Sequence, residues 1–591
     1  MGVLTTIETE CRDCYKCVRG CPVKAIRVNT GHAQIWEEQC ILDGHCIGIC
    51  PRQAKRVRDD LPTVQALLTG EEAVAVSLAP SYVCAFDLPD PGCLVTALRK
   101  LGFKYVSETA VGADLVAVAH AAYLRERPKK EPRITSSCPT IVNLIEKHYP
   151  EAIPYLVPVI SPMVAHARLL RSRYGPEVKV VFIGPCVAKK AEAEEAQFAG
   201  DIAAVLTFAE LEKWLKQENI NPAELPPERC DTFGSNWARL FPLAGGLLRT
   251  AGLSTDMLAE QMATVTGVDE CKSLISHLCK GNDLALDLIE MLACEGGCID
   301  GPCMVDSAGS IARRQRMIRY VKSAASSRAL GTEDDIDADH GLESGDGGDE
   351  IGGSLPTWLF RTYTDKKLRL PEPSEEELRE ILAAIGKRAP TDELNCGACG
   401  YDSCRDKARA VYLGVAESEM CMPYMRAKAE SLADVIITST PNGIIVADDR
   451  MSILALNPAA ESMFGCRAID YLHQPLAKLM PTDSFSRALQ HRRLIKESRE
   501  YPEYGLILQQ YIFTPEDQDV VIGIFTDITA EKRQQAELDR LKATTLERAQ
   551  EVINRQMRVA QEIAGLLGET TAETKVLLSQ LMRLIQDGDN Q

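Results

Sequence analysis

Glu290-Met291-Leu292-Ala293-Cys294-Glu295-Gly296-Gly297-Cys298 decides how this sequence is read. It holds two cysteines separated by paired glycines, directly after an apolar run. Two upstream segments complete the set. Gly184-Pro185-Cys186-Val187-Ala188-Lys189-Lys190 follows the β-rich run from Val178 to Ile183. Thr135-Ser136-Ser137-Cys138-Pro139 precedes a helix predicted from Pro139 to His148, with Ser136 or Ser137 near its cap and Pro139 in its first turn. The four cysteines therefore stand at strand or helix ends, beside glycines and prolines. Four thiolates suffice for one cubane iron–sulfur cluster. Glycine beside a ligand lets backbone N–H groups approach the sulfurs. Spacing alone specifies one cluster and no more.

Working outward, short buried-strand patterns such as Ala73–Leu78 alternate with helical ones from about residue 70 to 330, an α/β pattern. The chain has 591 residues, enough for several domains. Its 22 cysteines cluster at short spacings in a large chain whose start, Met1 to Thr6, has neither the basic residues nor the apolar run of an export signal. Those six residues do fit a myristoylation pattern, one short enough to arise by chance. Metal ligation in a reducing cytoplasm is the expectation, not a disulfide scaffold. A net charge of −18 argues against nucleic acid as a partner. The absence of a long apolar run argues against a membrane span.

Residues 1–60 carry Cys11, Cys14, Cys17 and Cys21 in the order C-x2-C-x2-C-x3-C, then Pro22. A second half repeats the frame with Cys40, Cys46, Cys50 and Pro51, but Asp43 stands where its second cysteine belongs. The block resembles two-cluster bacterial ferredoxins, in which the fourth cysteine of each run serves the other cluster. The resemblance implies that Cys11, Cys14, Cys17 and Cys50 hold one cluster. Cys21, Cys40 and Cys46 would hold the other. Asp43 is either its fourth ligand, a harder donor than thiolate, or a loop residue beside an exchangeable iron corner that leaves a 3Fe–4S form. Further on, Cys396, Cys399, Cys404 and Cys421 resemble the small single 4Fe–4S module of many redox proteins, with a structural zinc site as the alternative.

The expected domains are the ferredoxin-like block at 1–60, the α/β domain at 70–331, an Asp-, Glu- and Gly-rich linker at 332–355, and a small helical 4Fe–4S module at 356–425. The module's leading helix opens on a capping box at Ser374. Residues 428–530 resemble a PAS domain through Val446-Ala447-Asp448-Asp449, Leu456-Asn457-Pro458 and the closing Asp527-Ile528-Thr529. Residues 531–591 are helical. Ala549, Val552, Gln556, Val559, Ile563 and Leu566 alternate steps of three and four, the seam of a coiled coil that would make a homodimer.

The three central segments together resemble the signature motifs of the iron–iron (FeFe) hydrogenases, and with the PAS region the chain resembles their PAS-containing, sensory type. The resemblance implies that Cys138, Cys186, Cys294 and Cys298 hold the cubane half of an H-cluster. Cys298 would also bridge to a two-iron subsite carrying CO, CN and a dithiolate. Lys189 would donate to a cyanide, and Ala79, Pro80, Ser81, Ser136 and Pro185 would line the same pocket. Ser137 stands where catalytic members have the cysteine that passes protons. Ala119, His120 and Tyr123 replace the acidic relay behind it, and Gly184 and Leu292 replace two methionines. A hydroxyl is a far poorer acid than a thiol. The expectation is a hydrogen sensor of low turnover. Its implied partners are H2, protons, a redox protein such as ferredoxin, and a separate signalling protein such as a kinase or phosphatase. The alternatives are a catalytic ferredoxin-dependent hydrogenase and a non-enzymatic hydrogenase-like iron–sulfur assembly protein. The remaining cysteines, Cys84, Cys93, Cys230, Cys271, Cys279, Cys303 and Cys466, lack ligand spacing and read as ordinary thiols.

Overall fold

The computed structural model describes residues 2–126, 131–256, 261–281, 284–306, 308–329, 355–516, 518–567 and 575–580. The chain divides into two compact units, Met1–Met425 and Arg426–Gln591. The expected linker lies, but for residue 355, outside the described residues.

Two parallel sheets frame the middle of the first unit. Four strands run in the order Tyr105–Glu108, Val74–Leu78, Lys179–Gly184, Ala204–Thr207. Three more run in the order Met262–Thr266, Leu288–Leu292, Arg133–Ile134. Every residue of Val74–Leu78 and of Leu288–Leu292 is buried, as expected of parallel strands covered on both faces. Ligands of open parallel sheets sit outside the carboxyl ends of the strands. Each central motif lies at such an end. Ala79 follows Leu78, Pro185 follows Gly184, Thr135 follows Ile134, and Ala293 follows Leu292.

The helix Pro139–His148 forms over the expected residues, but its N-cap is Cys138, neither serine capping it. Ser136 is a correction to the expected pocket wall: its hydroxyl donates to the Val159 carbonyl at 2.6 Å and is fully buried there. A second correction concerns residues 356–370, grouped by sequence with the 4Fe–4S module. They strap across the α/β domain. Ile160 N–H donates to Leu359 O, Arg361 N–H to Pro158 O, and Lys366 N–H to Glu146 O. No local pattern announces this, because the segment makes its hydrogen bonds to residues some 200 positions away.

In the N-terminal block the two halves mirror one another. Helices Lys16–Gly20 and His45–Ile49 each start from a left-handed residue, Tyr15 and Gly44. Two short antiparallel pairs close the block. The following module has helices Glu375–Ala384, with the Ser374–Glu377 capping box formed, and Cys404–Tyr412.

The second unit is a five-stranded antiparallel sheet in the order Ile453–Leu456, Gly443–Asp448, Val520–Asp527, Leu506–Phe513, Ile495–Tyr501. Its sequence landmarks have mechanical causes. Asn457 accepts from the N–H groups of Ile444 and Ala460, tying the strand to the helix it caps. Asp527 accepts from the N–H of Thr529, whose hydroxyl in turn accepts from Ile507 N–H, where the helix Thr529–Leu567 begins. No helix among the described residues is long and apolar enough to cross a membrane.

Candidate functional site

The carboxyl ends of the two parallel sheets surround a cavity of about 870 Å³. Cys138, Cys186, Cys294 and Cys298 all line it, with Ala79, Pro80, Ser81, Ser137, Pro185 and Lys189. All four cysteines are free thiols. Burial pushes Cys186 up to about 11, and Cys138 adds to the shift. Burial pushes Cys298 up to about 12, with Cys138 and Cys186 adding. Thiols that disfavour each other's ionisation in an apolar chamber need a metal to become thiolates. Glycines make the approach possible. Gly297 has φ +81, and a Cβ there would lie 2.3 Å from the Pro242 carbonyl oxygen. A Cβ on Gly301 would lie 2.8 Å from Pro185.

Two polar atoms on the wall lack any partner among the described residues: the hydroxyls of Ser81 and Ser137. A buried unsatisfied hydroxyl costs about 1–3 kcal/mol, so both are available to a polar guest. The Lys189 ammonium sits 2.7 Å from a Glu192 carboxylate oxygen. That carboxylate also accepts from the Ser161 hydroxyl at 3.0 Å and faces Arg361 at 3.4 Å. Converging thiols, two unpaired hydroxyls and one lysine in an otherwise apolar chamber fit an iron–sulfur group with polar, anionic ligands. Arg361 and Glu192 were not found from sequence, since they lie 169 residues apart.

Gly184 lacks a side chain because another fills its space. A Cβ there would meet the Phe182 ring at 2.7 Å and Ala79 Cβ at 3.1 Å, and Phe182 itself lines the cavity. Leu292 lines it too. The positions expected to carry the relay hold no acid: they are Ala119, His120 and Tyr123. Ala119 and His120 are fully buried. His120 Nδ1 lies 2.8 Å from the Val116 carbonyl, which makes that nitrogen the donor, and Nε2 has no partner. Burial lowers its pKa to about 4, so it is neutral near pH 7. Among the cavity-lining residues are neither Ala119, His120 nor Tyr123.

The N-terminal cysteines fall into two groups. Burial raises the Cys17 thiol, and Cys11, Cys14 and Cys50 are the thiols that add to the shift. Burial raises the Cys46 thiol, with Asp43, Cys40 and Cys21 adding. A Cβ on Gly44, next to Asp43, would lie 3.4 Å from Val187, which follows Cys186, so the second group is the one on the cavity side. The same Cβ would meet Pro302 at 2.6 Å, which marks a close seat of the block on the α/β domain. Replacing Asp43 by Cys should give that cluster a firmer fourth iron and a different potential, since thiolate and carboxylate donate differently. Unchanged electron-resonance spectra and potentials in Asp43→Cys would make Asp43 a bystander.

Cys396, Cys399, Cys404 and Cys421 line another cavity, of about 350 Å³, with Lys387 and Lys407. Lys407 is buried and donates to the Glu417 carbonyl at 2.6 Å. Its charge offsets that of thiolate ligands, whose side it faces through Cys399 and Cys421.

Comparison with known proteins agrees with this geometry. Residues 72–302 match the family model described as iron only hydrogenase large subunit, C-terminal domain. Residues 392–423 match an Fe–S cluster family and residues 432–506 the PAS fold. The NADP-reducing hydrogenase subunit HndD of Solidesulfovibrio fructosivorans is 28% identical over 353 residues, 50% of this chain and 56% of that protein. Iron hydrogenase 1 of Clostridium pasteurianum is 28% identical over 368 residues, 50% of this chain and 64% of that protein. The cytosolic Fe-S cluster assembly factor NAR1 of Scheffersomyces stipitis is 29% identical over 168 residues, 26% of this chain and 31% of that protein. The chain thus spans less than two thirds of the length of each. With its cysteine cavity, its Fe–S module and its antiparallel C-terminal sheet, the chain is an FeFe-hydrogenase-like iron–sulfur protein that carries a PAS domain.

Proposed function

We propose that this chain binds H2 at the Cys138–Cys186–Cys294–Cys298 cavity, turns it over slowly, and reports the resulting redox state through its PAS domain to a separate protein. The observation that carries the reading is one chamber holding four thiols, Lys189, and the unpaired hydroxyls of Ser81 and Ser137. Cys138, Cys186, Cys294 and Cys298 would hold an H-cluster there, and that group would supply the splitting of H2 into two protons and two electrons. The chain's own residues do the rest. Ala79, Pro80 and Pro185 exclude water, and the Ser81 hydroxyl and Lys189 hold the anionic ligands of the group. The Glu192–Arg361 pair keeps Lys189 in place. Ser137 is a hydroxyl at the point where a proton must leave, and neutral His120 behind it is already committed to Val116. Slow proton exit prolongs the reduced state, which suits a sensor. The two N-terminal cysteine sets and the Cys396–Cys421 set would hold the iron–sulfur groups that take up the electrons.

A chain produced without the enzymes that build the two-iron unit should bind cubane clusters yet show no hydrogen chemistry. Hydrogen uptake by such a preparation would overturn the reading. A second reading, a non-enzymatic iron–sulfur assembly role, is favoured by the likeness to the NAR1 assembly factors. Lys189 and the Ala79–Ser81 wall weigh against it, since a lone cubane needs neither.

For output, the helix Thr529–Leu567 exposes Val552, Val559 and Ile563, and we place the homodimer seam there. None of residues 528–591 is a histidine, so no phosphoacceptor histidine lies in that helical stretch, and we place the receiver on a separate signalling protein such as a kinase or phosphatase. Truncation at Ala530 should leave the hydrogen chemistry and give a monomer by light scattering. A truncated chain that is still dimeric would place the interface elsewhere.

A further inference from the structure

We infer that the Cys396–Cys421 module is an electron branch seated against the Cys21 side of the N-terminal block, and that Arg19, Gly400 and Tyr401 form the joint across which electrons reach it. The inference rests on the hydrogen reading only for the source of the electrons; the joint itself is read from contacts inside the first unit.

The seam is built from both sides. Val28 N–H donates to the Val415 carbonyl at 2.8 Å, which ties the module to the strand Ile26–Asn29. Gly31 N–H donates to the Glu417 carboxylate at 3.1 Å. The Arg19 guanidinium donates to the Cys14 carbonyl at 3.0 Å and the Ala398 carbonyl at 3.1 Å. One side chain thus ties a ligand loop of the block to the loop between Cys396 and Cys399.

Gly400 sets the distance. It has φ +98, and a Cβ there would stand 2.9 Å from Val18 Cγ1 and 3.0 Å from Arg19 N. Two of those obstacles, the Arg19 nitrogen and the Val18 carbonyl carbon at 3.2 Å, are backbone and cannot swing aside. The ligand loop therefore lies directly on the short helix Lys16–Gly20, which leads into Cys21. Next in sequence, Tyr401 is 6% exposed and shares one apolar core with Val18, Cys21 and Met420. It lies within electrostatic reach of both the Cys399 and the Cys21 thiols.

Electron tunnelling falls steeply with separation, so a backbone-on-backbone seat with a buried aromatic beside it is what a transfer step requires. The group of Cys21, Cys40, Asp43 and Cys46 also abuts the cavity side: a Cβ on Gly44, next to Asp43, would stand 3.4 Å from Val187, which follows the cavity cysteine Cys186. It is therefore a node between the cavity and the module. The electrons balance simply: H2 yields two protons and two electrons, and each one-electron cluster on the path holds one of them. The Cys11 group, with Cys14 exposed, offers the other exit, toward an external acceptor. The odd ligand Asp43 sits at the node, where its influence on potential would divide electrons between the two exits.

The test uses the full-length matured chain and electron resonance. In the natural protein, clusters reduced with dithionite should show magnetic interaction between the module's cluster and the Cys21 cluster, and H2 should reduce the module's cluster. Gly400→Val, which removes no ligand, should lose the interaction and lose reduction of that cluster by H2, while dithionite still reduces it. If Gly400→Val fails to assemble the module's cluster, the double variant Arg19→Ala/Glu417→Ala decides, since it takes one latch from each partner and leaves the ligand loop intact. Interaction and H2-driven reduction unchanged in the deciding variant would overturn the joint. Failure of the hydrogen reading looks different: H2 then reduces no cluster even in the natural protein, while the dithionite-reduced interaction and its loss in the variants persist.

Discussion

At matched occupancy of the two-iron subsite, the natural chain should evolve hydrogen from a reduced dye about 10²–10⁴-fold more slowly than an equivalent site with a thiol at position 137 and an intact acidic relay, the range a positioned acid contributes. The Ser137 hydroxyl lines the cavity and has no partner, so nothing activates it as an acid. Ser137→Cys should recover only part of that factor. The expected relay positions would still lack an acid, since Ala119 offers no proton and His120 is neutral, with its Nδ1 held by Val116. Ser137→Ala should change little, because the hydroxyl it removes transfers few protons. Turnover in the natural protein as fast as an ordinary hydrogenase would remove the sensor argument and favour the catalytic reading. A cysteine variant that gains nothing would place the block further out, around His120 and Tyr123.

Cys298→Ala should abolish the two-iron subsite while sparing the fold. Cys298 follows Gly297, whose φ of +81 makes the turn, and its N–H donates to the Pro242 carbonyl at 2.7 Å. Alanine keeps that backbone and its hydrogen bond, so only the sulfur is lost. Cys138, Cys186 and Cys294 still line the chamber and can hold iron. Infrared bands of CO and CN should therefore vanish from the variant while its N-terminal and module clusters remain. Full band intensity would contradict a bridging role for Cys298.

Much of this was legible in the sequence because its signals are short in range. The cysteine spacings, Pro139 at a first helical turn, the Ser374 capping box and the Asp527-Ile528-Thr529 turn each act over a few residues, and each is seen in the structure. Strand and helix alternation placed the Cys186 motif after its strand and left the other central cysteines at strand or helix ends; the structure puts all three motifs at strand ends. What stayed hidden depends on tertiary contact. Ser136 and Ser137 are neighbours of one chemistry, yet one hydroxyl is spent on Val159 and the other faces the cavity. Both lie past the end of the strand Arg133–Ile134, and which one faces the cavity is invisible in spacing. Phe182 fills the room that Gly184 leaves only because the two share a strand face. Arg361 reaches Glu192 across the intervening chain, and the segment that carries it reads locally as part of the following module. The seat of Gly400 on Val18 is likewise a meeting of distant segments, signalled in sequence by nothing more than a glycine after a cysteine.

On the proposed reading, the four-cysteine cavity holds a cubane joined through Cys298 to a two-iron unit with CO and CN ligands. Infrared spectroscopy of the full-length chain, produced together with the hydrogenase maturation enzymes, tests it most directly. The account predicts CO and CN stretching bands that respond to H2 and are missing from protein made without those enzymes. A fully iron-loaded chain, matured in that way, with no CO or CN bands would contradict it and leave a hydrogenase-like iron–sulfur protein without hydrogen chemistry.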